Sequence, residues 1–179
     1  AKSFYDQSKI KMEQEAKQFL SDKMEIVFTR ASNHTGPGQK PGFVVPDFCS
    51  QIAKAKPNAE ILVGNLAAKR DFFDVRDCVK AYKLVMQKGN KGQIYNIGTG
   101  KTVQIKNILE KIIKISGKSI SYKFDPQRMR PSEIKKNCVN ISKIKKLGWL
   151  PKIGLEKTLK DTYKYHQVLN PKSETLNNI

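Results

Sequence analysis

Runs that read as strands alternate with runs that read as helices along almost the whole chain, and this alternation limits the fold more than any other feature. Residues 3–21, SFYDQSKIKMEQEAKQFLS, set Phe4, Ile10, Ala16 and Phe19 among good helix formers, with Ser3 as a cap, and predict an amphipathic, surface-packed helix. MEIVFTRA over 24–31 is β-branched and aromatic, hence a strand, and the NHTGPGQKPG that follows is dense enough in Gly and Pro to read as a long loop. FVVPDFCSQIAKA predicts a helix opening near Pro46 and Asp47, ILVG a short strand, and RDFFDV a strand leading into a helix over 76–88. QIYNIG is a strand, and SISYKF is another. Between them TVQIKNILEKIIKIS is a helix with Ile105, Ile108, Leu109, Ile112 and Ile113 on one side. DPQRMRPSEIKK reads as an extended loop before helices near 142–147 and 155–168, with the last ten residues frayed. Strands and helices in alternation favour an α/β architecture.

At 179 residues the chain has room for one domain, or one with an appendage, and for a real core. Hydrophobic residues at 39% and charged residues at 28% argue against disorder or a fibrous repeat. No apolar run approaches the roughly 18 to 20 residues that cross a bilayer, and no signal-peptide pattern opens the chain, so a cytoplasmic location without membrane contact is expected. Cys49, Cys78 and Cys138 lie far apart without CxxC spacing, and His34 and His166 have no companion ligands, so neither a disulfide framework nor a metal site is expected. The net charge of +18 admits a noncatalytic basic module that binds nucleic acid. Against it, 29 of the 34 basic residues are Lys scattered over every predicted helix, a pattern of solvated faces, and no aromatic stacking platform accompanies them. The excess lies mainly in residues 101–179, with 18 basic against 6 acidic residues. Where Lys is the default cation, each of the five arginines (Arg30, Arg70, Arg76, Arg128, Arg130) marks a place that needs a planar, bidentate fork.

Several constellations carry possible chemistry. Tyr5 and Lys9 are one helical turn apart, so an ammonium sits near a phenol and favours its ionised form, which suits proton delivery to a carbonyl oxygen. A Lys-rich helix produces the same spacing by chance. Asn33 and His34 stand where a strand gives way to a Gly/Pro loop, a place for ligand contacts or for plain turn chemistry. Arg70 and Arg130 suit either a diphosphate clamp or surface salt bridges, while Arg76 with Asp74 or Asp77 reads as structural. Asp47 complements a helix N-terminus. No G-x-G-x-x-G follows a strand, and GTGK at 98–101 lacks the remaining glycine of a phosphate loop.

Taken in order, YDQSK, NHTGPGQKPGFVVPDF, GNLAAKRDFFDVRDCV, YNIGTGKTVQI and RMRPSE resemble the extended short-chain dehydrogenase/reductase (NAD-dependent epimerase/dehydratase) family, in its branch of GDP-4-keto-6-deoxy-mannose reductases and GDP-mannose 4,6-dehydratases. The resemblance implies the last part of a Rossmann-type NAD(P)-binding fold plus the smaller α/β substrate-binding domain, with the N-terminal Gly-rich portion missing. Residues 1–32 would be the Tyr/Lys helix and the following strand of the Rossmann-type domain. Residues 33–179 would be mainly the nucleotide-sugar region, with elements at about 70–100 returning to the Rossmann-type sheet. It also implies catalytic Tyr5 and Lys9, with Lys9 also on the nicotinamide ribose of NAD or NADP and His34 beside the nicotinamide. Asn33, Arg70, Arg130 and Glu133 would hold the GDP-sugar, Glu133 through the ribose hydroxyls, and against such a substrate the Asp47 carboxylate could accept from the N1–H and exocyclic amine of guanine. The reaction implied is NAD(P)H-dependent reduction of a GDP-4-keto-6-deoxy-hexose, with a dehydratase or epimerase of the same family as the nearer alternative. A homodimer is implied for a full-length protein. The chain reads as the C-terminal part of such a protein and, as an isolated piece, is expected to be inactive.

Overall fold

The computed structural model describes residues 4–21, 23–129 and 134–169, and along them strands and helices alternate as α1 (Phe4–Gln18), β1 (Phe28–Ala31), β2 (Asn33–Thr35), α2 (Val44–Lys54) and β3 (Glu60–Val63). There follow β4 (Lys69–Arg70), β5 (Phe72–Asp74), α3 (Val75–Lys88), β6 (Ile94–Ile97), β7 (Val103–Gln104) and α4 (Ile105–Ser116). The described chain ends with β8 (Ser121–Phe124), a 3-10 turn (Pro126–Arg128), β9 (Lys136–Asn137), α5 (Ser142–Lys146) and α6 (Leu155–Val168). β1 pairs with β6, β2 with β5 and β3 with β8, all parallel, and each pair is joined by a crossover that includes a helix. β4 lies between antiparallel β7 and parallel β9.

Two cores result, and the pleat of β5 separates them. Phe72 packs in one with α2, β3, α4 and α6, where Ile52, Ile108, Leu109, Ile112 and Leu159 are fully buried. Phe73, the next residue and so on the opposite face, packs in the other with Cys78, Val85, Tyr95, Ile144 and Trp149. The Trp149 ring meets Phe73 edge-on at 6.4 Å and its indole N–H donates to the Asp77 carbonyl at 3.3 Å. α2 opens with Pro46 inside its first turn, where the missing N–H costs nothing. α3 is capped by Asp74, whose carboxylate accepts from the Arg76 N–H at 2.8 Å.

The structure corrects several expectations of detail. The strand expected over 24–31 covers only Phe28–Ala31, because its partner β6 begins at Ile94 after the Asn90–Gln93 turn; Met24 makes only an isolated bridge with Ser21. Asn33 and His34 lie not in a loop but in β2. The chain changes neighbour at Ser32, whose N–H donates to Ile97 on β6, while the Asn33 N–H donates to Asp71 beside β5. Val103 and Gln104 form β7 rather than the first turn of α4. Residues 126–128, expected to be extended, close a 3-10 turn. α1 is a helix as expected, but none of its residues is buried: Phe4 is 90% exposed, and Glu13 and Ala16, one turn apart, are only half-buried. The frayed segment expected at the C-terminus falls outside the described residues.

Candidate functional site

The pleat that divides the cores also shapes a cleft. On the paired strands β2 and β5, Asn33 stands opposite Phe72 and His34 opposite Phe73. Asn33 and Phe72 face a cleft of about 440 Å³ between α2, β3, β4 and the 3-10 turn. His34 turns the other way, its ring edge-on to Phe73 at 6.1 Å and its Nδ1 3.2 Å from the Ser32 carbonyl oxygen. The cleft is lined by apolar Phe48, Leu62, Leu66 and Ile105 together with polar Asn33, Asp47, Gln51 and Arg70, a composition that suits a flat ring carrying a charged extension.

Asp47 and Gln51, one turn apart on α2, line this cleft together with Arg70 from β4. The Asp47 carboxylate accepts from the Gly42 N–H at 2.7 Å, so it braces the loop before α2 while it faces the cleft. Arg70 is half-buried and donates through Nη1 to the Lys69 carbonyl at 2.8 Å. Thus three of the expected substrate contacts, Asn33, Asp47 and Arg70, meet in one cavity. Arg130 and Glu133 lie outside the described residues. The motif reading left Arg128 and Gln51 without a role, yet both line the cleft. With its amide oxygen turned toward the arginine, Gln51 accepts from Arg128 Nη1 at 3.3 Å and donates to the Leu62 carbonyl at 3.3 Å. Arg128 Nε also stands 3.6 Å from Asp125. The signal for both was available: Gln51 follows Asp47 by one turn, and Arg128 is one of five arginines in a chain of lysines. Gly64 permits this arrangement, since a Cβ there would lie 2.3 Å from the Arg128 carbonyl oxygen.

Tyr5 and Lys9 do not line the cleft. They sit on α1, where Tyr5 is 69% exposed and the Lys9 ammonium lies 5.5 Å from the centre of its ring. The pair therefore leans together on an open helix face. α1 is tied to β1 by Arg30, whose guanidinium makes a bidentate pair with Glu13 at 2.8 and 2.5 Å. The hydrogen bond from Arg30 is the main reason that the Glu13 carboxyl lies below its ordinary range. Arg76 is structural, as expected from its neighbours: it forks onto Asp74 at 2.8 and 2.7 Å and reaches Asp161 of α6 at 2.8 Å. The Asp77 carboxylate instead accepts from the backbone N–H groups of Lys152 and Ile153 at 2.7 Å each.

The GTGK segment has a different use. Backbone N–H groups of Thr99 and Gly100 point at the fully buried Asp71 carboxylate at 2.9 and 3.0 Å, and the Thr99 hydroxyl adds a bond of 2.6 Å. This nest of donors, a phosphate-type cradle, is filled by the protein's own carboxylate. Among the described residues no group of three or more His, Cys, Asp or Glu side chains is arranged to hold a metal, and no helix is long and apolar enough to cross a membrane.

Residues 1–162 match the GDP-mannose 4,6 dehydratase family. The GDP-6-deoxy-D-mannose reductase of Pseudomonas aeruginosa is 30% identical over 145 residues, 79% of this chain and 48% of that protein. Among solved structures, that of RMD from Pseudomonas aeruginosa complexed with NADPH superposes with a TM-score of 0.85 at 27% identity, covering 92% of this chain and 56% of that one. A dTDP-glucose 4,6-dehydratase from Bacillus anthracis in complex with NAD gives 0.80 at 26% identity, over 96% of this chain and 54% of that one. The chain thus spans about half the length of the proteins it matches, and its parallel α/β arrangement corresponds to part of their Rossmann-like fold.

Proposed function

Because the chain belongs to the GDP-mannose 4,6-dehydratase family of nucleotide-sugar short-chain dehydrogenase/reductases, we propose that it is the substrate-binding portion of an NAD(P)-dependent oxidoreductase that reduces the 4-keto group of a GDP-4-keto-6-deoxy-hexose. The observation that carries this reading is the convergence of Asn33, Asp47 and Arg70, from three separate elements, on one cleft that apolar side chains also line. In it the base lies over Phe48 and Leu66, Asp47 accepts from the N1–H and exocyclic amine of guanine, and Arg70 grips the diphosphate bidentately. Arg130 and Glu133, by family position, complete the diphosphate clamp and the ribose contact. Arg128, held by Gln51, adds a second positive charge to the same cleft.

Residues 1–32 take the role of the catalytic helix and its following strand, with 33–179 mainly the nucleotide-sugar region and about 70–100 contributing to the Rossmann-type sheet. Tyr5 protonates the oxygen at sugar C4 while Lys9 favours its ionised form and holds the nicotinamide ribose, with His34 nearby. The dinucleotide, when bound, supplies the hydride. The residues present fit one end of it only. An exposed phenol and ammonium suit a nicotinamide ribose, whereas the Gly-containing nest at Thr99 and Gly100 is occupied by Asp71. In this reading the whole protein is a homodimer.

Equilibrium binding tests the cleft. GDP should bind more tightly than UDP or dTDP, and Arg70→Ala should weaken GDP by roughly tenfold or more, the loss expected for a hydrogen-bonded charged contact. Equal affinity for all three nucleotides, untouched by Arg70→Ala, removes the assignment. Incubating the whole protein with GDP-mannose and with its 4-keto-6-deoxy product, and following which is consumed, separates reductase from dehydratase.

A further inference from the structure

A second, smaller cleft of about 300 Å³ opens where the turn at 38–41 meets the last turns of α2 and α6. Lys40 and Lys54 stand on its wall with the hydroxyls of Ser50 and Tyr165 and the imidazole of His166, and among the described residues no acidic side chain lines it. It is distinct from the nucleotide cleft: Asp47 and Gln51 of α2 face one cavity, Ser50 and Lys54 the other. His166 is only 5% exposed, and its Nε2 is buried with no hydrogen-bond partner among the described residues. Unpaired buried nitrogens are uncommon because each forfeits its bond to water, so this one points to a partner that the described residues do not supply. Tyr165 packs edge-on against the ring at 5.5 Å and helps to fix it.

The charges around the ring favour an anion. Burial pushes the His166 imidazole below the ordinary histidine range; the Gln39 backbone and Asp47 oppose this, and Lys54 adds to it. The Lys54 ammonium thus acts on the ring, and Lys40 lines the same cleft. The negative end of the α2 dipole would disfavour an anion here, but Lys118 sits on the carbonyls of Ile52, Ala53 and Ala55 at 3.0, 3.0 and 2.8 Å and offsets it.

We propose that this second cleft binds a phosphate group, free or as a phosphomonoester, gripped by Lys40 and Lys54 with Ser50, Tyr165 and His166 as hydrogen-bonding partners. A tetrahedral anion with several acceptor oxygens matches two ammoniums, two hydroxyls and an imidazole, and the volume leaves room for a small substituent. The site does not depend on which nucleotide fills the larger cleft.

Calorimetric titration of orthophosphate into the full chain at constant ionic strength tests it, with the His166 ring resonances followed by NMR as the pH is varied. Saturable binding is expected, weakened at least tenfold in the Lys40→Met/Lys54→Met double variant and unchanged in Arg70→Ala. Bound phosphate should also move the His166 titration to higher pH, because an adjacent anion favours the imidazolium. A parallel titration with ribose 5-phosphate identifies the source: tighter binding than orthophosphate assigns a phosphomonoester, weaker binding the free ion. Absence of saturable binding, equal affinity in the lysine double variant, loss on Arg70→Ala or an unmoved His166 titration overturns the proposal.

Discussion

A single carboxylate, Asp47, has two separable duties. Its Oδ1 accepts from the Gly42 N–H, which fixes the loop that leads into α2, and its charge faces the cleft. Asparagine can keep the first contact but loses the charge and sets an amide donor against the guanine donors. Asp47→Asn should therefore leave the melting temperature nearly unchanged while the preference for GDP over UDP falls by about tenfold, within the range expected for a bidentate base contact; parallel melting and nucleotide titrations check this. Asp71 is the opposite case, a fully buried acceptor-only group facing three donors from Thr99 and Gly100. Asp71→Asn turns an amide N–H₂ toward those donors and should cost about 2–4 kcal/mol of stability, read by denaturant unfolding. Gly98 belongs to the same nest: a Cβ there would lie 2.7 Å from the Asp71 carboxylate.

Among the elements, α2 matters most, because it supplies Asp47, Phe48 and Gln51 to the cleft and ends on carbonyls taken by Lys118. Lys118→Met removes three hydrogen bonds to the end of α2 and should destabilise the chain by about 1–2 kcal/mol. Amide exchange should quicken first in the last turn of α2. Gly64→Ala presses a Cβ onto the Arg128 carbonyl and must displace the 3-10 turn. It should weaken GDP binding with a smaller effect on folding, measured by titration and by thermal melting side by side. Helices were largely legible in the sequence: the Ile105, Ile108, Leu109, Ile112 stripe is buried as its spacing requires. The two-residue strands β4, β7 and β9 were not, since pairs so short are formed by tertiary neighbours and leave no period to read. Likewise the strand content of Asn33–Thr35 depends on Asp71 offering its carbonyl, a residue almost forty positions away.

Across the molecule, the two cores are joined by one network. Asp74, at the start of α3, accepts from Arg76 and from the Thr158 hydroxyl of α6 at 2.8 Å, and Arg76 reaches on to Asp161. Burial alone would raise the Asp74 carboxyl, but the bonds from Arg76 and Thr158 outweigh it and hold it below the ordinary range. The Lys157 and Arg76 contacts lower Asp161 in the same way. For carboxyls depressed by folding, the stabilisation is complete above the unfolded value, near pH 4, and is lost as pH falls below it through the folded value. Acid titration should thus loosen α6 from β5 and α3 as pH drops below about 4, and Asp74→Asn should flatten that part of the stability profile. The division of the interior into two cores could not be read beforehand: FFD announces a strand, but that its two phenylalanines serve different cores depends on which helices cover each face. The convergence of Asn33, Asp47 and Arg70 was partly legible through the family motifs. Gln51 and Arg128 carried a signal in spacing and residue type, but their pairing depends on the 3-10 turn folding back over Gly64.

The nucleotide cleft is the claim on which the rest depends, and mapping backbone amide shifts in the full chain as GDP is added tests it most directly. The account predicts saturable changes clustered at Asn33, Asp47, Gln51, Arg70 and Arg128. Changes confined to the Lys-rich surface of α5, or spread without saturation over exposed lysines, would contradict it and favour a nonspecific basic surface instead.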